Sequence, residues 1–362
     1  MLAAAPMFFI DLAARVQVLH AQGAVVTQFR YFLCMCRNAH VAITRSGILK
    51  EFVKMSGTAD VMVFSRRFAI AKPCSRISAP QIGLLLQFRV GFELIYSFPQ
   101  PTPVILVVNI HDSRASDIVV PDFLVTEPSI SISSYRDRFG NQCKRVLAPA
   151  GRIRLSTDCI VNDNGQTDEI AFGAWQDSVE DLPEDVLVFL LGSRYCETDR
   201  LSEIAWQLFS QTVPGYPRVQ AICDYVHNHI AFNYQNARSS RTALESLKER
   251  TGVCRDYAHL AIALCRCMNI PARYCTGYLS DLGTPLPYPV GDFAAWMEVW
   301  IGGRWHTFDP RNNVSRVGRV LMARGRDACD VAIATTFGPN TLESFRVWTD
   351  EVLTPQTSGV GS

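Results

Sequence analysis

The sequence predicts an α+β protein with a β-rich segment first, helices next and a closing hairpin. Three observations carry this. Between Phe88 and Val161 short apolar runs alternate with Gly, Pro, Asn and Asp. Between Leu201 and Met268 apolar residues recur at helical spacing. Residues 292–310 read as two strands around a Gly302-Gly303 turn.

The strands come in order. Phe88 to Phe98 is followed by the turn-rich Pro99-Gln100-Pro101-Thr102-Pro103. Val104 to Ile110, Ser129 to Tyr135, Gln142 to Leu147 and Gly151 to Val161 continue the series. Short strands with such punctuation predict an antiparallel sandwich or barrel. No residue group in it looks catalytic, so packing and substrate orientation are its expected roles. Asn162-Asp163-Asn164-Gly165 begins a linker.

Helices follow. Leu201, Ile204, Ala205, Leu208 and Phe209 form one apolar face. Val219, Ile222, Cys223, Val226 and Ile230 form another, with Pro217 near its start. Thr242-Ala243-Leu244-Glu245 reads as a capping box, with Gly252 closing that helix. From Cys254 to Met268 apolar residues cover most faces, which predicts a buried central helix. Asn269-Ile270-Pro271 ends it. Arg273 to Leu279 is a strand. Residues 281–291 form a Pro/Gly-rich loop, placed where it could gate a site.

With 362 residues the chain has room for two domains or slightly more. The expected division is an N-terminal extension (1–86), a β-rich domain (87–165), a core (166–340) and a C-terminal tail (341–362). The formal net charge of +1 gives no case for binding nucleic acid or an anionic membrane. Residues 1–86 hold ten Lys/Arg against three Asp/Glu, and five of the eight Met. That shift, with no sustained strand alternation, leads to the expectation that the natural chain starts near Leu86.

No run approaches the roughly 20 apolar residues of a membrane span. Met1 to Ile10 is apolar but lacks a basic n-region and meets Asp11, so no signal peptide is expected. Twelve cysteines without a regular framework then read as reduced thiols, and a cytoplasmic location is expected. Cys34 and Cys36, like Cys265 and Cys267, form C-x-C pairs. On a helix such residues point about 200° apart, so Cys265 and Cys267 read as buried small hydrophobes. No cofactor or metal is expected.

The chemistry concentrates in Thr251-Gly252-Val253-Cys254-Arg255-Asp256-Tyr257-Ala258-His259, then Asp292-Phe293-Ala294-Ala295-Trp296, then Trp305-His306-Thr307-Phe308-Asp309-Pro310. A glycine break places Cys254 at a helix start, where backbone N–H groups and the dipole favour a thiolate. If Gly302-Gly303 is a two-residue turn, Ile301 faces Arg304, Val299 faces His306 and Trp296 faces Asp309. Ala294, Trp296, Glu298, Thr307 and Asp309 then share one face. Ala295, Met297, Val299, His306 and Phe308 share the other. A bulge would bring His306 to the Asp309 face. His259 is about 140° round the helix from Cys254 and reads as a packed core histidine.

These motifs resemble the transglutaminase-like superfamily of papain-like Cys-His-Asp enzymes, from about Phe88 to about Gly338. The resemblance implies a papain-like transglutaminase core, with helices packed on an antiparallel sheet, behind a β-sandwich-like domain. Members carry His-Ala-Trp where this chain has Ala294-Ala295-Trp296. By that match Cys254 is the nucleophile, Asp309 the orienting carboxylate and Ala294 the vacant base position.

The implied function is a cysteine amidase or protease acting on peptide or protein amides through a Cys254 thioester. A non-catalytic peptide- or protein-binding module is the alternative, favoured by the missing histidine. A redox sensor at Cys254 is a third reading, and no resolving cysteine is evident for it.

Overall fold

A computed structural model describes residues 86–284 and 291–352, and the backbone of two strands, Ala39–Ile43 and Leu49–Val53. Those two strands pair antiparallel within a first unit, residues 1–80. No element was expected there, because five-residue strands are too short for a sustained alternation. The expected upstream start, the Cys34/Cys36 pair and positions 285–290 of the gating loop lie outside the described residues.

Residues 81–362 form the second unit. Its β-rich part is a sandwich of two antiparallel sheets. One has the order Thr341–Glu351, Leu86–Phe98, Gly151–Asp163, Ile118–Val120, with Val125–Glu127 also pairing onto Gly151–Asp163. The other runs Ala334–Thr336, Thr102–Leu106, Gln142–Ala148, Ile132–Arg136. Phe88, Val90, Phe92 and Leu94 alternate inward on the first sheet and meet Val104, Leu106 and Val146 of the second.

Two boundaries differ from the sequence reading. The strand expected at Val104 to Ile110 is Thr102–Leu106, because it pairs with Gln142–Ala148 only that far. The C-terminal "tail" supplies the 11-residue edge strand Thr341–Glu351. Only Val347 on it is buried, and a bulge interrupts it between Leu342 and Ser344, so it shows no strand alternation.

The core holds a four-stranded antiparallel sheet, ordered Arg304–Phe308, Ala294–Ile301, Ala272–Leu279, Arg319–Gly325. Helices Thr198–Phe209, Tyr216–His229 and Ala243–Glu249 surround the cysteine helix, Cys254–Cys267. Every residue from Asp256 to Cys267 is buried, as the all-round apolar pattern predicts. The capping box at Thr242 forms: Glu245 N–H donates to Thr242 Oγ1 at 3.3 Å, and Thr242 N–H to Glu245 Oε2 at 3.0 Å. Gly252 does not close that helix. Arg250 does, in the left-handed region at φ 53°, which lets Thr251-Gly252 pair with Ala231-Phe232 as a short parallel strand.

Sandwich and core share packing. Phe293, which enters the hairpin, lies against Phe92, Tyr278 and Phe345 at ring separations of 6.0, 5.5 and 5.9 Å. Burying such a ring is worth about 1.5–3 kcal/mol, so the sandwich fixes where the hairpin begins. No helix among the described residues is long and apolar enough to cross a membrane.

Candidate active site

The cysteine helix is held at its start by a buried carboxylate. Asp256 Oδ2 accepts the Val253 N–H at 2.9 Å and pairs with Arg241 at 3.0 Å. Asp256 is 0% exposed and the Arg241 side chain 4%. Arg255 adds a contact at 3.3 Å, and Glu249 holds Arg241 from the other side at 3.0 Å. A Cβ at Gly252 would lie 2.6 Å from Asp256 Oδ2, so the glycine makes room for this clasp.

Cys254 is the first residue of the helix and half-buried. Its thiol faces the Phe293 carbonyl at 3.9 Å. Burial pushes the thiol up to about 12, and the Asp292 carboxylate adds to this; a hydrogen bond from the Ala295 N–H and the charge of Arg311 oppose it. The sequence expectation of a favoured thiolate is therefore reversed. A helix start favours the thiolate, but here burial of the sulfur against the strand outweighs that influence.

The hairpin forms in the expected register: Ile301 faces Arg304, Val299 faces His306 and Met297 faces Phe308. Gly302 and Gly303 both have positive φ, 61° and 77°, as a two-residue turn requires. Ala295, Met297, Val299 and Ile301 pack toward the cysteine helix. Ala294 and Trp296 lie on the other face with Cys275 and Leu321. The body of the helix thus packs on the face opposite Ala294, and Cys254 meets the strand at its leading end.

Asp309 is 7% exposed. Its carboxylate accepts from the Asn312 N–H at 3.0 Å, from Asn312 Nδ2 at 2.7 Å and from Arg319 at 3.2 Å. The Arg319 guanidinium lies 4.7 Å over the Trp296 ring and pairs with Asp168 at 2.9 Å. Gly277 stands opposite Ala294 on the neighbouring strand.

The histidines of the second unit are held elsewhere. His306 is buried on the Val299 face, and burial lowers its pKa. His259 Nε2 accepts the Ala328 N–H at 3.1 Å and the ring stacks on Tyr195, so it is a packed core residue held neutral by burial. His229 contacts the Leu247 carbonyl at 2.7 Å, and His111 contacts Ser113. His227 reaches the Arg311 carbonyl at 2.9 Å. Glu298 pairs with Arg273 at 2.6 Å. Cys265 and Cys267 are buried free thiols.

Sequence reasoning missed three neighbours of the thiol. Tyr234 donates its hydroxyl to Asp292 at 3.2 Å, and Arg311 lies over the Phe232 ring at 4.4 Å. Asp292 was quoted only as part of a motif; its place directly before Phe293 was the available signal. A groove of about 670 Å³ lies apart from this chemistry, on the sandwich, lined by Arg89, Phe123, Asp158 and Trp348 among others.

The comparisons with known proteins bear on the family and the fold. The model of the transglutaminase-like superfamily core matches residues 203–310, which contain Cys254, Ala294 and Asp309. A solved structure from Cytophaga hutchinsonii, described as a "putative cysteine protease", is 32% identical. That match covers 75% of this chain and 92% of the other, with a TM-score of 0.64. The chain belongs to the transglutaminase-like superfamily. Two uncharacterised curated relatives are similar over shorter stretches of this transglutaminase-like chain. One, from Mycobacterium leprae, is 37% identical over 94 residues, 25% of this chain and 33% of its own length. One from Mycobacterium tuberculosis is 33% identical over 146 residues, 37% of this chain and 46% of its own length. The chain thus matches less than half the length of these curated relatives.

Proposed function

We propose that this protein is a transglutaminase-like cysteine amidase that cleaves amide bonds of peptides or protein side chains through a Cys254 thioester. The observation that carries this is the place of Cys254 as first residue of the clasped central helix. There the sulfur stands beside backbone N–H groups that have no intrahelical acceptor. In the reaction the sulfur attacks the carbonyl carbon, and those N–H groups receive the developing oxyanion. The amine leaves, and water resolves the thioester. Asp309 is the proposed orienting carboxylate of the ancestral triad, and Ala294 leaves its base position vacant. Hydrolysis is proposed over amine transfer because nothing in the sequence marks an acceptor site for an amine.

Cys254→Ala tests this. It removes one sulfur, so the fold should persist while thiol-dependent amide hydrolysis falls to background. Activity that survives the substitution would place the chemistry elsewhere in the chain.

A second reading is a non-catalytic module that binds peptides or proteins. The high thiol pKa and the methyl group at 294 favour it. Iodoacetamide separates the two. Labelling of Cys254 faster than a free model thiol supports the enzyme; labelling slower than that supports the module.

A further inference from the structure

We propose that Arg311 is the carboxylate-binding residue of the Cys254 site, so that the preferred substrates carry a carboxylate within about three residues of the amide that Cys254 attacks. This deepens the enzymatic reading above and rests on it. The place of Arg311 follows from a chain of contacts. Phe232 pairs with Gly252, two residues before Cys254. The Arg311 guanidinium lies 4.4 Å over the Phe232 ring, and Tyr234 meets that ring edge-on at 4.9 Å. The Tyr234 hydroxyl donates to Asp292 at 3.2 Å, next to the Phe293 carbonyl that faces the sulfur. Cation, aromatic wall and thiol thus border one another. Two or three residues of an extended substrate, at about 3.3 Å each, reach from the sulfur past Phe232 to the guanidinium.

Arg311 has no acidic partner among the described residues. Arg238, Arg241, Arg255 and Arg319, which also border the site, each pair with an Asp or Glu. Arg316 is buried and donates to the Ser280 carbonyl. Arg311 is half-buried and donates to the neutral Asn312 Oδ1 at 2.7 Å. A guanidinium has five N–H donors. Stacking on Phe232 covers one face and leaves the edge of the fork free to take a carboxylate in two parallel bonds. The acidic neighbours have partners of their own: Asp309 pairs with Arg319, and Asp292 accepts from Tyr234.

The turn that carries Arg311 is fixed on both sides. Pro310 sets the backbone before it. Asn313 lies in the left-handed region at φ 52°, and its N–H donates to the Asp309 carbonyl at 2.7 Å. The Asn313 side chain is held by Asp224 at 2.8 Å and by Gln220 at 3.0 Å. His227 reaches the Arg311 carbonyl at 2.9 Å. A cation presented by a rigid turn loses little freedom on binding, which favours recognition.

The test labels Cys254 in the full chain with iodoacetyl peptides, whose reaction needs an accessible thiol but no turnover. Iodoacetyl-Gly-Glu-amide and iodoacetyl-Gly-Gly-Glu-amide carry the carboxylate on a side chain. Iodoacetyl-Gly-Gly and iodoacetyl-Gly-Gly-Gly carry it at a free C-terminus. The matching Gln-amides and Gly-amides are neutral. Wild type should react at least about tenfold faster with one carboxylate set than with its neutral counterpart, the lower end of what a hydrogen bond to a charged group contributes. The set that shows the preference identifies the source of the carboxylate. Arg311→Gln should bring the ratio close to one. Arg311→Lys should keep part of it, because an ammonium attracts a carboxylate without forking it. The ratio is read rather than the rate, since loss of the cation also disfavours the thiolate and slows every reagent.

Three results would overturn the assignment: a ratio near one in wild type, an unchanged ratio in folded Arg311→Gln, or labelling of Cys254 by none of the reagents. Should Arg311→Gln not fold, Arg311→Lys serves the same comparison, and its ratio must fall below that of wild type. Acylation of Cys254 by p-nitrophenyl acetate, which carries no carboxylate, reports the enzymatic reading separately. Acylation with a ratio near one would leave the enzyme standing and remove the subsite. A ratio that Arg311→Gln abolishes, without acylation, would keep the carboxylate site and assign it to a binding module.

Discussion

Replacing Ala294 with histidine should raise the reactivity of Cys254 at pH 7 at least about tenfold, against the 10²–10⁴ that a well-placed base supplies. The sign follows from electrostatics. Burial holds the thiol up at about 12, and an imidazolium beside the sulfur would favour the thiolate and bring that value down. Position 294 lies on the face of Trp296, and Arg319, over the Trp296 ring, ties Asp309 to that face. Asp309 has three donors, and a carboxylate offers about four acceptor positions, so one remains for the ring N–H. Gly277 stands opposite and brings no side chain into the space. The Trp296 ring is the close neighbour, and strain of about 1–3 kcal/mol is the opposing cost. Since the thiol meets the strand at its leading end, the ring has to reach from the Asp309 face to that end. This is why the lower bound sits near tenfold. Iodoacetamide rates across pH 6–10 measure it; a folded Ala294→His protein with the wild-type profile would show that position 294 cannot serve the thiol.

The largest stability effect should come from Asp256→Ala, which removes the fully buried partner of the Arg241 guanidinium and leaves it only the partly exposed Glu249. Removing one member of a buried pair costs about 3–5 kcal/mol. The Val253 N–H at the helix start would also lose its acceptor. Urea titration should show a much lower midpoint at an unchanged slope. Asp256→Leu combined with Arg241→Met, which removes both charges, should be more stable than Asp256→Ala. A midpoint shift worth under about 1 kcal/mol would mean the clasp does not hold the helix.

The parts legible in the sequence were those written in local periodicity. The hairpin register came from one glycine pair and a period of two, and the buried central helix from an all-round apolar pattern. The family was legible too, because Gly-Val-Cys-Arg-Asp-Tyr-Ala-His and Thr-Phe-Asp-Pro are contiguous strings.

What was missed depends on contacts between distant segments. Tyr234 and Asp292 lie 58 positions apart, and Arg319 reaches Asp168 across 151. The edge strand Thr341–Glu351 buries too little to leave a pattern. The thiol was misjudged because helix position is local while desolvation is tertiary: what raises the pKa is burial of the sulfur beside the Phe293 end of the hairpin, which the sandwich residues Phe92 and Phe345 anchor from distant parts of the chain.

The central claim is that Cys254 forms an acyl intermediate. Intact-mass measurement after rapid quenching with p-nitrophenyl acetate, followed by peptide mapping, tests it most directly. The account predicts one acetyl group, located on Cys254 and absent from Cys254→Ala. An acetyl group on any other residue, or none while Cys254 remains accessible to iodoacetamide, would contradict it.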